Sequence, residues 1–506
     1  MILSTVVFLP ILFALIITLW PQKSSLKPIA LGFSLAHFIF SLILFRDFDP
    51  TSAQLQLVER HMWIPKFGIQ YFLALDGISF WLILLTTFLA PLIILASWKS
   101  IEEKVRGFLV CFFVLQTAML GSFLAFDAIL FYIFWELSLI PMYFIVGIWG
   151  GSRRIYATVK FFIYTMAGSV LMLVAIIYMM YLTQQAFGQM SSSLLDFYKL
   201  NIPFIGNEFF SMQTLLFFAF ALAFAIKVPL FPLHTWLPDA HVEAPTPGSV
   251  VLAGVMLKMG TFCYIRWVLP LFPEATEYWS WIFVLLGVIG IIYGALVAMV
   301  QPDIKKLVAY SSVSHMGYII IGLFAMNHQG LQGGLYQMLN HGISTGALFI
   351  LIGMIYERTH SREISQYGGL ASVLPNFTIF FFIITLSSIA VPLTNGFVGE
   401  FLILLGVYKY SPWSAGFAAT GVVLGAAYML WMFKRVFYGE KGPLVADEKH
   451  PLMDLNLREV CVLVPFVVMV FWMGIFPNTF LKFSEASVDY LVKNKSSYQL
   501  TVKGEQ

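Results

Sequence analysis

"FAIKVPLFPLHTWLPDAHVEAP", residues 224–245, ends an apolar run on Lys227 and then places Pro229, Pro232 and Pro238 in quick succession. Proline removes a backbone donor and crowds the preceding turn, so the helix carrying Lys227 is predicted to end or kink directly after it. The residues before it, 215–226, are apolar throughout and read as lipid-embedded. An ionisable group deep in a bilayer costs about 2.5–3.5 kcal/mol on insertion scales, so Lys227 reads as functional.

The rest of the chain agrees that lipid is its solvent. Of its 506 residues 59% are hydrophobic and 11% charged, with a mean hydropathy of +0.85, which no water-soluble globule of this size approaches. A membrane-crossing helix needs about 20 apolar residues. Runs of that kind recur near residues 2–20, 28–45, 77–97, 105–126, 128–149, 159–183, 211–237, 246–268, 278–300, 305–325, 333–355, 375–408, 414–437 and 459–480. The expected architecture is therefore an all-α polytopic membrane protein of about fourteen transmembrane helices. The first run has no basic residues before it and no small-residue cleavage site, so it is expected to stay as a helix.

Basic residues concentrate in the connections after odd-numbered spans, among them Lys23, Lys27, Lys104, Arg106, Arg153, Arg154, Lys305, Lys306, Lys434 and Arg435. By the positive-inside rule those connections face the cytoplasm, and both termini face the other side. Arg153, Arg154, Lys305 and Lys306 read most simply as anchors of this kind. Lys227, Lys258, Glu136 and Glu400 remain inside spans, with Asp127 at a span edge, where an acid suits a helix N-cap. A second break is expected in "SSIAVPLTNGFVGEFLIL", residues 387–404, where Pro392, Asn395, Gly396 and Gly399 interrupt an apolar run just before Glu400. Paired interrupted helices point to an internally repeated transporter with its site near the midplane.

These stretches, together with "FYIFWELSLIPMYFIVGIWG" around Glu136, "GSVVLAGVMLKMG" around Lys258, "DIKKLVAYSSVSHMGY" with His315 and "LNHGISTGALFI" with His341, carry a specific resemblance. In order, across roughly residues 70–440, they resemble the antiporter-like, Mrp-related membrane subunits of respiratory complex I, NADH-quinone oxidoreductase. Glu400, where L- and N-type relatives usually carry lysine, and the absence of a long lateral helix after the last span favour the M type, or chain 4. The resemblance implies two inverted five-helix repeats, spans 4–8 and 9–13, each with a broken helix. It divides the chain into N-terminal helices over residues 1–100, repeats over 101–270 and 271–440, and a last helix with its tail over 441–506. Two departures stand out: Leu393, where the family usually shows glycine, and Pro247, where it shows alanine.

Burial penalises the charged form of lysine and glutamate alike, whereas a neighbouring opposite charge favours it. A Glu136–Lys227 pair that joins and separates would thus switch the proton affinity of Lys227. The resemblance makes that pair the gate, Lys258 the central carrier and Glu400 the exit. His315 and His341 titrate near neutrality and suit relay roles. The simpler reading of His234, His241 and His315 is as hydrogen-bonded donors between helices.

Cys111, Cys263 and Cys461 lie far apart within spans, which excludes a disulfide framework or iron–sulfur spacing. No dinucleotide or P-loop glycine pattern follows a strand. The expectation is no cofactor in this chain, with FMN, iron–sulfur clusters and quinone in partner subunits. Expected partners are the L-, N-, K-, J-, A- and H-type membrane-arm subunits and the lipid bilayer, in a bacterial inner membrane or equivalent energy-coupling membrane. A net charge of +3 and lipid-facing aromatic content give no nucleic-acid signal. The alternatives are a subunit of an Mrp-type cation/proton antiporter, a membrane-bound hydrogenase subunit, or a purely structural tether. A tether would gain stability by losing its buried charges. Residues 46–76 and the tail after Lys482 carry no interpretable motif.

Overall fold

With no water to satisfy the backbone in lipid, a spanning segment must pair its own N–H and C=O groups, and helices do so. The computed structural model of the chain describes residues 1–206, 210–446, 451–494 and 498–503, and is mostly helical. Among these residues, 12 helices are long and apolar enough to cross a membrane, and two shorter apolar helices, Met212–Lys227 and Pro375–Ser388, stand at the two expected breaks.

Thr246–Val268 and His328–Thr359 are buried along their whole apolar windows and form the centre of the bundle. Ile2–Leu19, Leu26–Asp47, Pro412–Phe437 and Leu457–Ile475 lie at the periphery with exposed apolar faces. Small residues let the central helices approach each other. A Cβ on Gly342 would sit 2.9 Å from the Gly254 carbonyl oxygen, so these paired glycines bring the backbones of the two central helices almost into contact. Gly317 and Gly287 do the same for Ile304–Phe324 against Pro273–Met299.

The first break falls where the prolines place it. The helix ends at Lys227 and resumes as Trp236–Glu243, and the indole N–H of Trp236 donates to the freed Ile226 carbonyl at 2.9 Å. In the second break the helix stops at Ser388 and resumes at Asn395. Both family departures now have a local account. Pro247 lies in the first turn of Thr246–Val251, where a missing N–H costs no helical bond. Leu393 has φ of 74°, the left-handed region that favours glycine, and carries strain on the order of 1–2 kcal/mol.

Two features outside the spans are not legible as motifs. Residues 46–76 contain a two-stranded antiparallel hairpin, β1 (Gln56–Ile64) and β2 (Ile69–Leu75), closed through Gly68 at φ 64°. It is the one sheet among the described residues. The chain end adds a helix, Asn478–Lys493, whose Phe480 and Phe483 pack on Trp81 and Phe80. The tail then returns to the hairpin, with Leu55 N–H donating to Thr501 O at 2.9 Å and Lys503 N–H to Leu55 O at 3.0 Å.

Candidate proton path

Lys258 lies on the central Thr246–Val268 span, which contains two π-helical segments, Leu252–Met256 and Tyr264–Val268. A π turn displaces the regular hydrogen-bond ladder and leaves carbonyls free for other donors. The Lys258 ammonium uses this: it donates to the Ala253 carbonyl and lies 2.6 Å from His341 Nδ1 on the facing helix. Lys258 is fully buried. Its contact with His341 follows from the Gly254–Gly342 approach, which holds the same two helices together within about one turn of it.

From His341 the polar line continues sideways. Its Nε2 has no hydrogen-bond partner, and its ring centroid is 5.7 Å from that of His315. His315 Nδ1 lies 3.2 Å from Glu400 Oε1, within ion-pair distance, but the angles are not those of a hydrogen bond and Nδ1 is otherwise unpartnered. Glu400 accepts from Gln337 Nε2 at 3.3 Å, and Gln337 Oε1 in turn accepts from Asn340 Nδ2 at 2.9 Å. A small polar cavity lined by His315, Gln337, His341, Ser344 and Ser387 adjoins this line, with room for about one water molecule. At the second break Ser387 Oγ donates to Asn395 Oδ1 at 2.6 Å, and Asn395 Nδ2 donates to Ser344 Oγ at 3.2 Å. The expected Lys258, His341, His315 and Glu400 are therefore gathered along one line, with Lys258 and His341 in hydrogen-bond contact and the later members close but not hydrogen-bonded to one another.

The expected gate is arranged differently. Lys227 is buried, donates to Ser138 Oγ at 3.3 Å, and sits over the Trp135 ring at 5.1 Å. Glu136 and Lys227 make no ion pair, and Glu136 Oε1 is buried without a hydrogen-bond partner. No direct side-chain hydrogen bond links Lys227 to Lys258 among the described residues. The two helices meet instead where Gly260 lies against Val228.

Three residues differ from their simpler readings. His234 and His241 are not satisfied donors: neither ring nitrogen of either has a hydrogen-bond partner, although His234 lies beside the Pro232 carbonyl. His241 stacks on Phe349 at 4.6 Å and is near enough to both Lys258 and Lys305 to feel their charge. Lys305 is no surface anchor. It is buried and donates to the carbonyls of Ala244 at 2.5 Å and Val242 at 3.4 Å, at the end of the first broken span. Charge counting cannot separate Lys305 from the adjacent, half-buried Lys306; only the inward face of the helix does. Lys305 also lines a wide cavity with Glu102, Glu243, Glu357, His360 and Arg362. Those residues lie in or at the helix ends beside the connections after odd-numbered spans, which places these connections on one face of the molecule.

Asp127 keeps its expected role. Its Oδ1 caps the helix Ala128–Leu137 by accepting from Ile129 N and Leu130 N, and its Oδ2 accepts from Gln70 N at 2.9 Å.

Residues 125–425 match the family described as NADH:quinone oxidoreductase/Mrp antiporter, transmembrane, and residues 5–122 match NADH-ubiquinone oxidoreductase chain 4, amino terminus. The chain belongs to this family. Within the family it is 45% identical to NADH-quinone oxidoreductase subunit M of Rhodobacter capsulatus, over 97% of this chain and 96% of the relative. It is 41% identical to NADH-ubiquinone oxidoreductase chain 4 of Arabidopsis thaliana, over 97% of each. A chain in the structure of respiratory complex I from Thermus thermophilus with bound NADH superposes with a TM-score of 0.86 at 32% identity, covering 97% of this chain and 99% of that one. A chain of the Mrp complex from Dietzia sp. reaches a TM-score of 0.84 at 18% identity over 98% of each, which shows a shared fold. As a family member with this run of apolar helices, it is an integral membrane protein.

Proposed function

We propose that this chain is the proton-translocating M-type, or chain 4, subunit in the membrane arm of NADH-quinone oxidoreductase. The observation that carries the reading is the line Lys258–His341–His315–Glu400, in which buried titratable groups from separate helices follow one another at 2.6 Å, 5.7 Å between rings, and 3.2 Å. An apolar bundle that only tethered its neighbours would have no use for such groups, each of which is costly in lipid.

In this reading the cavity beside Lys305 faces the cytoplasm and admits protons. Glu136 and Lys227 gate the first repeat: drawing Glu136 onto Lys227 favours the charged lysine, and separating them lowers its hold on the proton. Lys258 carries the proton at the centre, His341 and His315 relay it, and Glu400 releases it at the far side. Gln337 holds Glu400 towards His315. FMN, iron–sulfur clusters and quinone belong to partner subunits, and the L-, N-, K-, J-, A- and H-type subunits are its neighbours. Energy arrives as charge or conformational change spreading laterally from the quinone site. The scale fits, since one charge crossing 100 mV is worth about 2.3 kcal/mol. The 45% identity to a subunit M against 18% to the Mrp chain favours this assignment over an antiporter subunit.

The test is to purify the assembled complex, reconstitute it in vesicles and follow donor-driven proton uptake with Lys258→Met. The expected result is an assembled complex whose proton-to-electron ratio falls. An assembled variant with an unchanged ratio overturns the reading.

A further inference from the structure

The Lys258 span ends, on the face opposite the Lys305 cavity, at a buried ion pair that the proton path does not use. Arg266 Nη2 and Asp76 Oδ2 are 2.6 Å apart, and both side chains are 1% exposed. Arg266 follows Lys258 by eight residues on the same span, about 12 Å along a helix. Its guanidinium lies over the rings of Phe126 at 4.6 Å and Phe262 at 5.3 Å. Asp76 is saturated: its Oδ1 accepts from Ile78 N, Ser79 N and Ser79 Oγ, while its Oδ2 takes the arginine. The Tyr198 hydroxyl donates to the Arg266 carbonyl at 2.9 Å, and Tyr498 from the chain's tail packs edge-on against Tyr198 at 5.1 Å.

We propose that Arg266, clamped by Asp76, is a proton seal that closes the far end of the Lys258 span and forces the proton sideways to His341. The inference rests on the reading of Lys258 as a carrier. A proton that continued along its own span would need an acceptor or a water file. Arginine stays protonated and cannot relay. The Asp76 oxygens are already occupied by donors, and the phenylalanine and tyrosine rings leave the guanidinium dry. The first charge met from Lys258 is a fixed cation, which is how an arginine excludes protons from a pore. Tyr498 from the tail, packed on Tyr198, closes the same end of the span. Replacing both charges by apolar groups could leave packing intact; removing the arginine alone leaves Asp76 beside a hole that water can fill.

The experiment uses the whole complex in vesicles without electron donor, imposes a pH gradient and follows its decay with an internal pH-sensitive dye. Arg266→Ala is expected to assemble and to speed the decay about tenfold or more. Adding Lys258→Met is expected to return the decay to the original rate, because the leak is fed through Lys258. If Arg266→Ala fails to assemble, Arg266→Lys keeps the cation but makes it titratable and is expected to leak as well. An assembled Arg266 variant with the original decay rate overturns the seal, and so does a leak that persists in the Lys258→Met double variant. Neither outcome touches donor-driven pumping by the unaltered complex, and the Lys258→Met single variant tests that reading separately.

Discussion

At the scale of single residues, the proposed relay separates groups taken to exchange protons from groups that hold them in place. Glu136 makes no ion pair with Lys227 and its Oε1 is unpartnered, so bringing the two together would favour the charged lysine. Glu136→Ala or Lys227→Ala is expected to leave the complex assembled while cutting pumping at least about tenfold, in the range of lost acid–base groups. Full pumping by either assembled variant would remove the gate. Gly399 provides a subtler test. A Cβ there would lie 2.4 Å from Gln337 Oε1 and 2.6 Å from Asn340 Nδ2, both at the ends of movable side chains. Gly399→Ala should therefore fold, push Gln337 off Glu400 and lower the pumping ratio without altering assembly. A normal ratio would mean that Gln337 does not position Glu400.

At the scale of elements, the second broken span shows how a strained break is held. Leu393 keeps a left-handed backbone and Gly474 of the last span makes room for it, because a Cβ on Gly474 would lie 2.1 Å from the Leu393 carbonyl oxygen. That contact is with backbone, which cannot swing aside. Gly474→Ala is expected to destabilise the complex by roughly 1–3 kcal/mol, the usual cost of overpacking, seen as a lower Tm or reduced assembly on native gels. Leu393→Gly, at an exposed position, should be tolerated. An unchanged Tm for Gly474→Ala would show that the last span can move away from the break.

At the scale of the whole molecule, the tail of the chain is stitched to the hairpin region near its start. Lys503 Nζ pairs with Asp49 at 3.0 Å beside the Leu55–Thr501 and Lys503–Leu55 hydrogen bonds. The Thr51 hydroxyl, and then Lys503, hold the Asp49 carboxyl at about 2, below its usual range. A depressed acid contributes its stability above the unfolded value, near 4, and loses it as pH falls through the folded one. Carboxypeptidase digestion of the tail should be equally slow at pH 7 and pH 5, and faster at both for Asp49→Ala. A tail that loosens between pH 7 and pH 5 would contradict the pairing.

The amino-acid sequence by itself determined the lipid environment, the run of membrane-crossing helices, the break after Lys227 and the ionisable groups placed within spans, Lys227, Lys258 and Glu400 among them, because all of these rest on local chemistry: hydropathy over about 20 residues, proline geometry and the cost of a charge in hydrocarbon. Only the tertiary structure decided which of those groups meet. Lys258 reaches His341 because Gly254 and Gly342 bring two helices together across 83 residues of sequence, and Glu400 reaches His315 across a gap of similar length. It likewise turned Lys305 inward, left Glu136 apart from Lys227, and paired Arg266 with Asp76. Hydropathy and motif spacing describe each helix alone, whereas these contacts depend on how helices rotate and pack against one another.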